Sequence, residues 1–562
     1  MLLLAGDAGL APLGAPWAAE RQPAAAASPL RGSQIAPEVA YGLRVLATPV
    51  QLRGSTGDAA ADAELLNRVE ALAGTVRDGP LQRFVLDGLM QQVRRLDRVA
   101  EASVATFESV PAGRVVVAIT VVPAQTPGPP ASKVEGLFVD GALASLPVLH
   151  QDDSSLFKAI LNGGVGAFAT FNPFFGRGDL FTRGNKAARD PAGPGRTAWA
   201  ESYIEPGLGG IAQLGDWPVY AYGSATYLLS ASFGQDLYDS GTRTHGAWEQ
   251  AYAGLLFDLP GKGNSLNLSG GRQIYQLRQG FLISKIPGST NLGSLGALWL
   301  GPRLAFDNTA IAQLKLGEYS LEGIVLEPSE FPGAETNTRI AGATIGYNDS
   351  ETIDAALTYL EVPRSSRAYL GPEGNVVATR DGLRTVSPSL WLYKLFGVEG
   401  LWFKGEFAWQ THESLDMSAY AFAIWPGYRA EKLPWKPGIS YKYTQFSGDD
   451  PSTSRYERYD PLLAGGQNNY VPGMLLSSVL LNSNLRSQRV TLTANPSESL
   501  ALTLEYTQHR AIYLNNRGAI GPLQQLSSKD LASELDFFVN LYLGKHLYLQ
   551  GVLAAARPGA AI

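Results

Sequence analysis

The sequence predicts a mostly β fold: a large transmembrane antiparallel β-barrel with a small N-terminal α+β domain ahead of it. Three observations predict the barrel. First, the C-terminal part of the chain alternates apolar and polar residues over segments of about ten residues, separated by Gly, Pro, Asn and Asp turns. Leu500, Leu502, Leu504 and Tyr506 share one face of a strand, while Ala501, Thr503 and Glu505 share the other. Leu535, Phe537, Val539, Leu541 and Leu543 oppose Glu534, Asp536, Phe538, Asn540 and Tyr542, and Leu401, Phe403, Phe407 and Trp409 oppose Lys404 and Glu406. Second, no stretch is continuously apolar for long enough to form a spanning helix, so a bilayer would be crossed by strands closed on themselves. Third, connections alternate between long and tight, as Phe446–Asn468 and Asn495–Ser499 do, which is the asymmetry of barrels with long external loops and short periplasmic turns. Tyr441 and Tyr443, or Phe407 and Trp409, on the apolar faces suit the aromatic girdles of a bilayer interface.

In chain order, residues 1–40 read as a signal remnant and disordered linker. Met1–Gly6 is apolar but short and has no basic residues before it, and the Ala- and Pro-rich Gln22–Ser33 has linker composition. Residues 41–123 form the α+β domain. A strand over Leu43–Leu52 precedes a helix with Leu65, Leu66, Val69, Leu72 and Ala73 at helical spacing. A second helix starts near Pro80 and buries Phe84, Val85, Leu89, Val93 and Leu96. Ala102–Glu108 and Arg114–Val122 then make a hairpin around Val110-Pro111-Ala112-Gly113. Residues 124–155, beginning with Ala124–Lys133, are a linker, and residues 156–562 are the barrel.

Composition narrows the chemistry. The chain has no Cys, which excludes disulfides, thiolate metal sites and lipoprotein anchoring. A formal net charge of −6 without a basic cluster argues against nucleic-acid binding. The five histidines, His150, His245, His412, His509 and His546, are scattered with no H-E-x-x-H spacing, and no G-x-S-x-G elbow occurs. No enzyme and no cofactor are therefore expected, although a Ser–His pair assembled across strands would leave no trace in sequence spacing. Asp449, Asp450, Glu457 and Asp460 offer oxygen ligands for a divalent cation, but acids among Ser, Thr and Pro fit a solvated loop of Asx turns better, and no metal site is assigned.

Strand parity assigns the lumen face. If Leu304, Phe306, Leu314 and Leu316 face lipid on a strand Arg303–Leu316, then Arg303, Asp307, Gln313 and Lys315 face inward. Lys404 and Glu406, Lys442, and Arg489 meet the same test on three further strands. Converging at a constriction, these groups would select anionic, uronic-acid-like solutes; the alternative is that they pair across strands and brace the lumen.

Two resemblances extend this reading. The order strand, helix, helix, strand, strand in residues 41–123 resembles the polypeptide-transport-associated (POTRA) domain. That implies a periplasmic unit with a sheet edge that receives a protein partner. In the barrel, Leu433-Pro434-Trp435-Lys436-Pro437, Ser440-Tyr441-Lys442-Tyr443, Phe446-Ser447-Gly448-Asp449-Asp450-Pro451, Ser454-Arg455-Tyr456-Glu457-Arg458-Tyr459-Asp460-Pro461-Leu462 and Leu481-Asn482-Ser483-Asn484-Leu485 together resemble the alginate export family of outer-membrane porins. Gly271-Arg272-Gln273, Arg303, Phe306-Asp307, Glu534-Leu535-Asp536 and Arg557-Pro558-Gly559 resemble further motifs of that family. The resemblance adds Arg272 to the pore-lining candidates, although Leu266 and Leu268 share its parity and would aim it at lipid unless Gly270-Gly271 forms a bulge. It implies a monomeric barrel of about 16–18 strands in the outer membrane of a Gram-negative bacterium. Within it an anionic polysaccharide or sugar-acid oligomers would be the transported solute. Against the family pattern, no strand follows the Pro558-Gly559 loop, so closure is expected to use another segment unless the sequence is incomplete. A POTRA-type protein translocator or insertase, and a structural or adhesive barrel, stand as alternatives. Leu156–Phe175 is the segment considered as a plug.

Overall fold

The computed structural model describes residues 2–6, 34–35, 44–53, 59–77, 82–94, 96, 99–108, 114–123 and 148–562, the last with breaks at 153, 187, 262, 286–295, 465–469, 471 and 544–546. These fall into two compact units. The Gln22–Ser33 and Ala124–Lys133 linkers, the Pro80 helix start and the Val110–Gly113 turn lie outside the described residues.

In the smaller unit, helices Ala59–Gly74 and Arg83–Arg94 pack on a sheet of Gln34–Ile35, Val99–Glu108, Arg114–Pro123 and the short parallel strands Arg44–Ala47 and Val50–Leu52. Leu65, Val69, Ala73 and Val76 recur on one helix face, and Leu89, Met90 and Val93 on the other helix. Both rows bury against Ala102, Ile119 and Val121. The expected strand Leu43–Leu52 is interrupted at Thr48-Pro49, where the ring removes a ladder donor. Gln34–Ile35 was not foreseen as a strand; it pairs with Thr106 and Phe107 on the outer edge of Val99–Glu108.

Among the described residues the larger unit is an antiparallel sheet of nineteen strands, closed through the pairing of Arg196–Gln213 with Val219–Gly234. Each long strand from Ser155–Phe171 to Leu547–Pro558 lies beside the next in sequence. The exception is the hairpin of Ala368–Leu370 and Val376–Thr379, a separate two-stranded sheet within a loop. The sequence left this meander one strand short, and the structure supplies the closing partner from the other end of the chain. Leu2–Gly6, assigned above to a signal remnant, lies between Leu547–Pro558, where Leu2 faces Gly551, and Ser155–Phe171, where Leu2 faces Ala167. The short Val148–Gln151 joins at the same seam.

The faces are inverted relative to a soluble protein. Trp248, Leu357, Trp409, Ile424, Leu504, Tyr506 and Leu535 are exposed, whereas Glu201, Glu406, Lys442, Arg489 and Glu534 are buried on the opposite face. That inversion is stable only where the outer solvent is hydrocarbon, since a charge moved to a lipid face costs about 2–4 kcal/mol. Connections 172–195, 273–307, 365–382, 447–484 and 512–529 are long and share one end, and 214–218, 317–318, 394–400 and 495–499 are short and share the other. Leu156–Phe175 is not a plug: Ser155–Phe171 is a wall strand, and Pro173–Gly176 only turns the chain. The segments that fold inward are 273–307 and 447–484. Ser284 and Leu463 N–H groups join them by donating to the Leu463 and Leu282 carbonyls, each at 3.1 Å. Phe281, Ile283, Phe306, Leu463, Tyr470 and Leu476 belong to one buried apolar cluster there.

Candidate functional site

Wall register brings a set of polar and aromatic side chains into one row. Asp354 faces Trp391, Trp391 faces Lys404, and Lys404 faces Trp425 on successive strands. Trp425 and Lys442 lie one residue beyond the Ile424–Tyr443 pair, with the Lys442 ammonium 4.4 Å from an indole ring centre. Lys442 then faces Arg489, Arg489 faces Thr507, and Thr507 faces Glu534. Every member has the parity that points away from lipid, so a single band runs across eight adjacent strands. One step towards the long loops, a second row holds Ser389, Glu406, Ala423, Thr444, Ser487 and His509.

Contacts within the band join unlike groups. Arg278, from the inward-folded segment 273–307, pairs with Asp354 at 2.7 Å and stands 4.3 Å over the Trp391 ring. Tyr470, from segment 447–484, donates its hydroxyl to Glu406 at 2.7 Å and lies 5.1 Å from the Lys442 ammonium. Arg489 pairs with Glu505 at 3.4 Å. Trp402 lies flat over Gly427, where an added Cβ would strike the indole.

The inward segments are held to the wall by carboxylates. Glu201 accepts the backbone N–H groups of Trp299 and Leu300 at 2.9 and 2.8 Å. Glu249 accepts those of Leu304 and Ala305 at 2.5 and 2.7 Å, and Glu534 those of Leu475 and Leu476 at 2.7 and 2.9 Å. Each anchor satisfies two loop donors that burial would otherwise leave unpaired. A second clamp holds the 365–382 hairpin: Arg380 forks onto Asp460 at 2.8 and 2.7 Å, with Tyr369 donating to the same carboxylate at 2.8 Å.

The expected pore residues separate into two groups. Lys404, Lys442 and Arg489 stand in the band and Glu406 just beyond it. Lys315 also has inward parity but sits beside the tight turn 317–318, facing Ser320. Arg303 is not on a strand: the wall begins at Asn308, and Arg303 is buried in the inward segment, donating to Ser230 Oγ at 2.8 Å. Phe306, assigned above to the lipid face, is fully buried against Tyr275 for the same reason. Arg272 ends its strand beyond Gly271, which has φ +117°, and turns to pair with Asp307. That pairing leaves both residues bracing the entrance to segment 273–307. Asp354, Trp391, Trp425 and Glu201 also face inward, and the alternation around each carries that signal in the sequence.

Ser487 and His509 do meet across strands, Oγ to Nδ1 at 2.7 Å, but both are buried on the inward face, away from any lipid substrate. The acidic loop is divided among separate partners. Asp450 accepts from Ser452, Asp449 from the Glu457 N–H, and Asp460 from Arg380. Burial raises Asp449, whereas hydrogen bonds from Ser452 lower Asp450.

The alginate export family model matches residues 226–562, more than half the chain. No curated protein matches it. Among solved structures, Pseudomonas aeruginosa OccK5 (OpdH) is similar at 11% identity, covering 72% of this chain and 98% of its own, with a TM-score of 0.39. P. aeruginosa OccK11 (OpdR) is similar at 14% identity, covering 73% and 92%, with a TM-score of 0.41. Acinetobacter baumannii OccAB2 is similar at 11% identity, covering 72% and 92%, with a TM-score of 0.42. The family match over the wall strands and their inward segments, on a closed sheet with an apolar exterior, shows that this chain belongs to the alginate export family and is an outer-membrane β-barrel channel.

Proposed function

We propose that the channel lets an anionic polysaccharide, or its sugar-acid oligomers, diffuse through a charged lumen. The observation that carries this reading is the inward band, where Lys404, Lys442 and Arg489 lie between Asp354 and Glu534. Fixed cations attract carboxylates, and neighbouring acids offset part of that charge and so prevent overly tight retention. The family's description, alginate export, names an acidic saccharide polymer and supports the same solute class. The driving force is the solute gradient or an inner-membrane machine.

In this reading the smaller unit stands in the periplasm, because Ser155–Phe171 enters the sheet from the short-turn end. Among the described residues, Gln34–Ile35 covers the Val99–Glu108 edge only at Thr106 and Phe107. The rest of that edge suits strand addition by a protein partner. Single-channel recording in planar bilayers tests the main reading: uronate oligomers block the current and neutral oligomers of equal length do not. Absence of block at every concentration counts against it. Binding of an unfolded polypeptide to residues 41–123 would instead favour the translocator.

A further inference from the structure

Lys404 differs from the other cations of the band in its company. Its half-buried ammonium lies 5.1, 5.6 and 5.4 Å from the ring centres of Trp391, Trp402 and Trp425. The nearby acids are engaged elsewhere, Asp354 by Arg278 and Glu406 by Tyr470. Among the described residues no carboxylate forms an ion pair with Lys404. Trp402 and Trp425 are half-buried and meet at 80° with ring centres 5.4 Å apart, so they form a corner beside the ammonium. Trp391 is buried beneath Arg278, so the half-buried Trp402 and Trp425 are the indoles of the group left with ring surface towards the lumen.

We propose that Trp402, Lys404 and Trp425, with the buried Trp391 behind the ammonium, form a subsite for one hexuronate ring at the short-turn end of the lumen. The inference rests on the function proposed above and locates where a sugar acid is held. The carboxylate takes the position opposite the Lys404 ammonium, and the apolar C–H face of the pyranose lies on the Trp402–Trp425 corner. Inorganic anions offer no ring face to the indoles, and neutral hexoses offer no charge to the lysine. Recognition by a ring and a charge together separates uronates from both.

The test is single-channel recording of the full chain with trigalacturonate, maltotriose and benzoate added from the short-turn side. Wild-type channels are blocked by trigalacturonate and not by maltotriose. Lys404→Met and Trp425→Leu each shorten the block roughly tenfold, whereas the outward-facing Trp409→Leu leaves it unchanged. Heat-modifiable gel mobility checks folding, and Trp425→Phe, which keeps a ring, replaces Trp425→Leu if that variant fails to insert. Equal block of wild type and both inward variants overturns the subsite while leaving the anionic-saccharide channel standing. No block of wild type overturns the channel reading and the subsite with it. Equal block by maltotriose removes the role of Lys404, and block by benzoate alone reassigns the corner to aromatic acids.

Discussion

At Asp460 a single carboxylate holds two loops together. Burial pushes its carboxyl up, but Arg380 and Arg367 outweigh that and hold it at about 2, below its ordinary 3.8. Removing one partner from such a buried pair costs about 3–5 kcal/mol. Arg380→Met is therefore expected to lower the urea midpoint in detergent micelles, and Arg380→Met with Asp460→Leu to lower it by less than the sum of the single changes. A folded-state carboxyl below its unfolded value adds stability that is complete above pH 4 and is lost as pH falls towards 2. That contribution is about 2 kcal/mol. Wild type should show this acid loss, and Asp460→Asn should lack it; equal slopes for the two proteins would refute the assignment. Residue parity made Lys404, Glu406, Lys442 and Arg489 legible from sequence. It failed at Arg303 and Phe306 because a short apolar run inside an inward-folded loop alternates as a strand does.

The elements most dependent on tertiary context are the inward segments 273–307 and 447–484. Their attachment to Glu201, Glu249 and Glu534 runs through backbone N–H groups, which every non-proline residue carries, so no side-chain pattern announces it. The alternation read at Leu401–Trp409, Leu500–Tyr506 and Glu534–Leu543, by contrast, falls on wall strands, because lipid on one side enforces it locally, whereas Ser155–Phe171, considered as a plug, went unread as wall. Hydrogen bonds to a charged acceptor contribute about 1.5–3 kcal/mol each. Glu534→Ala should loosen residues 474–476, and Glu201→Ala residues 299–300, with more frequent current flicker and faster proteolysis of the affected loop in micelles. Traces as quiet as wild type would show that the apolar cluster and the remaining ties, Tyr470 to Glu406 and Asp460 to Arg380 among them, hold these segments without the anchors.

At the scale of the whole molecule, closure depends on Leu2–Gly6 meeting strands far away in sequence. Hydrophobic periodicity is local information and does not encode such a pairing, which is why the sequence left a gap after Pro558. The chain has no native Cys, so an introduced pair reports unambiguously. Leu4→Cys with Val165→Cys, whose backbones face each other, should cross-link on oxidation and shift gel mobility, while Leu4→Cys with Leu357→Cys should not. Failure of the first pair to cross-link would place the seam elsewhere.

The position of the anchors along the chain also sets an order of events. Glu201 and Glu249 precede the loop they hold, but Glu534 follows the segment it fastens and lies on the Asp530–Leu543 strand, almost the last of the wall. Residues 475–476 therefore settle only after that strand is in place, later than Asp460, Leu463 and Tyr470 of the same segment, whose partners Arg380, Leu282 and Glu406 lie earlier in the chain. Segment 447–484 is thus fastened progressively as the wall grows, and its C-terminal end is among the last parts of the interior to find its place.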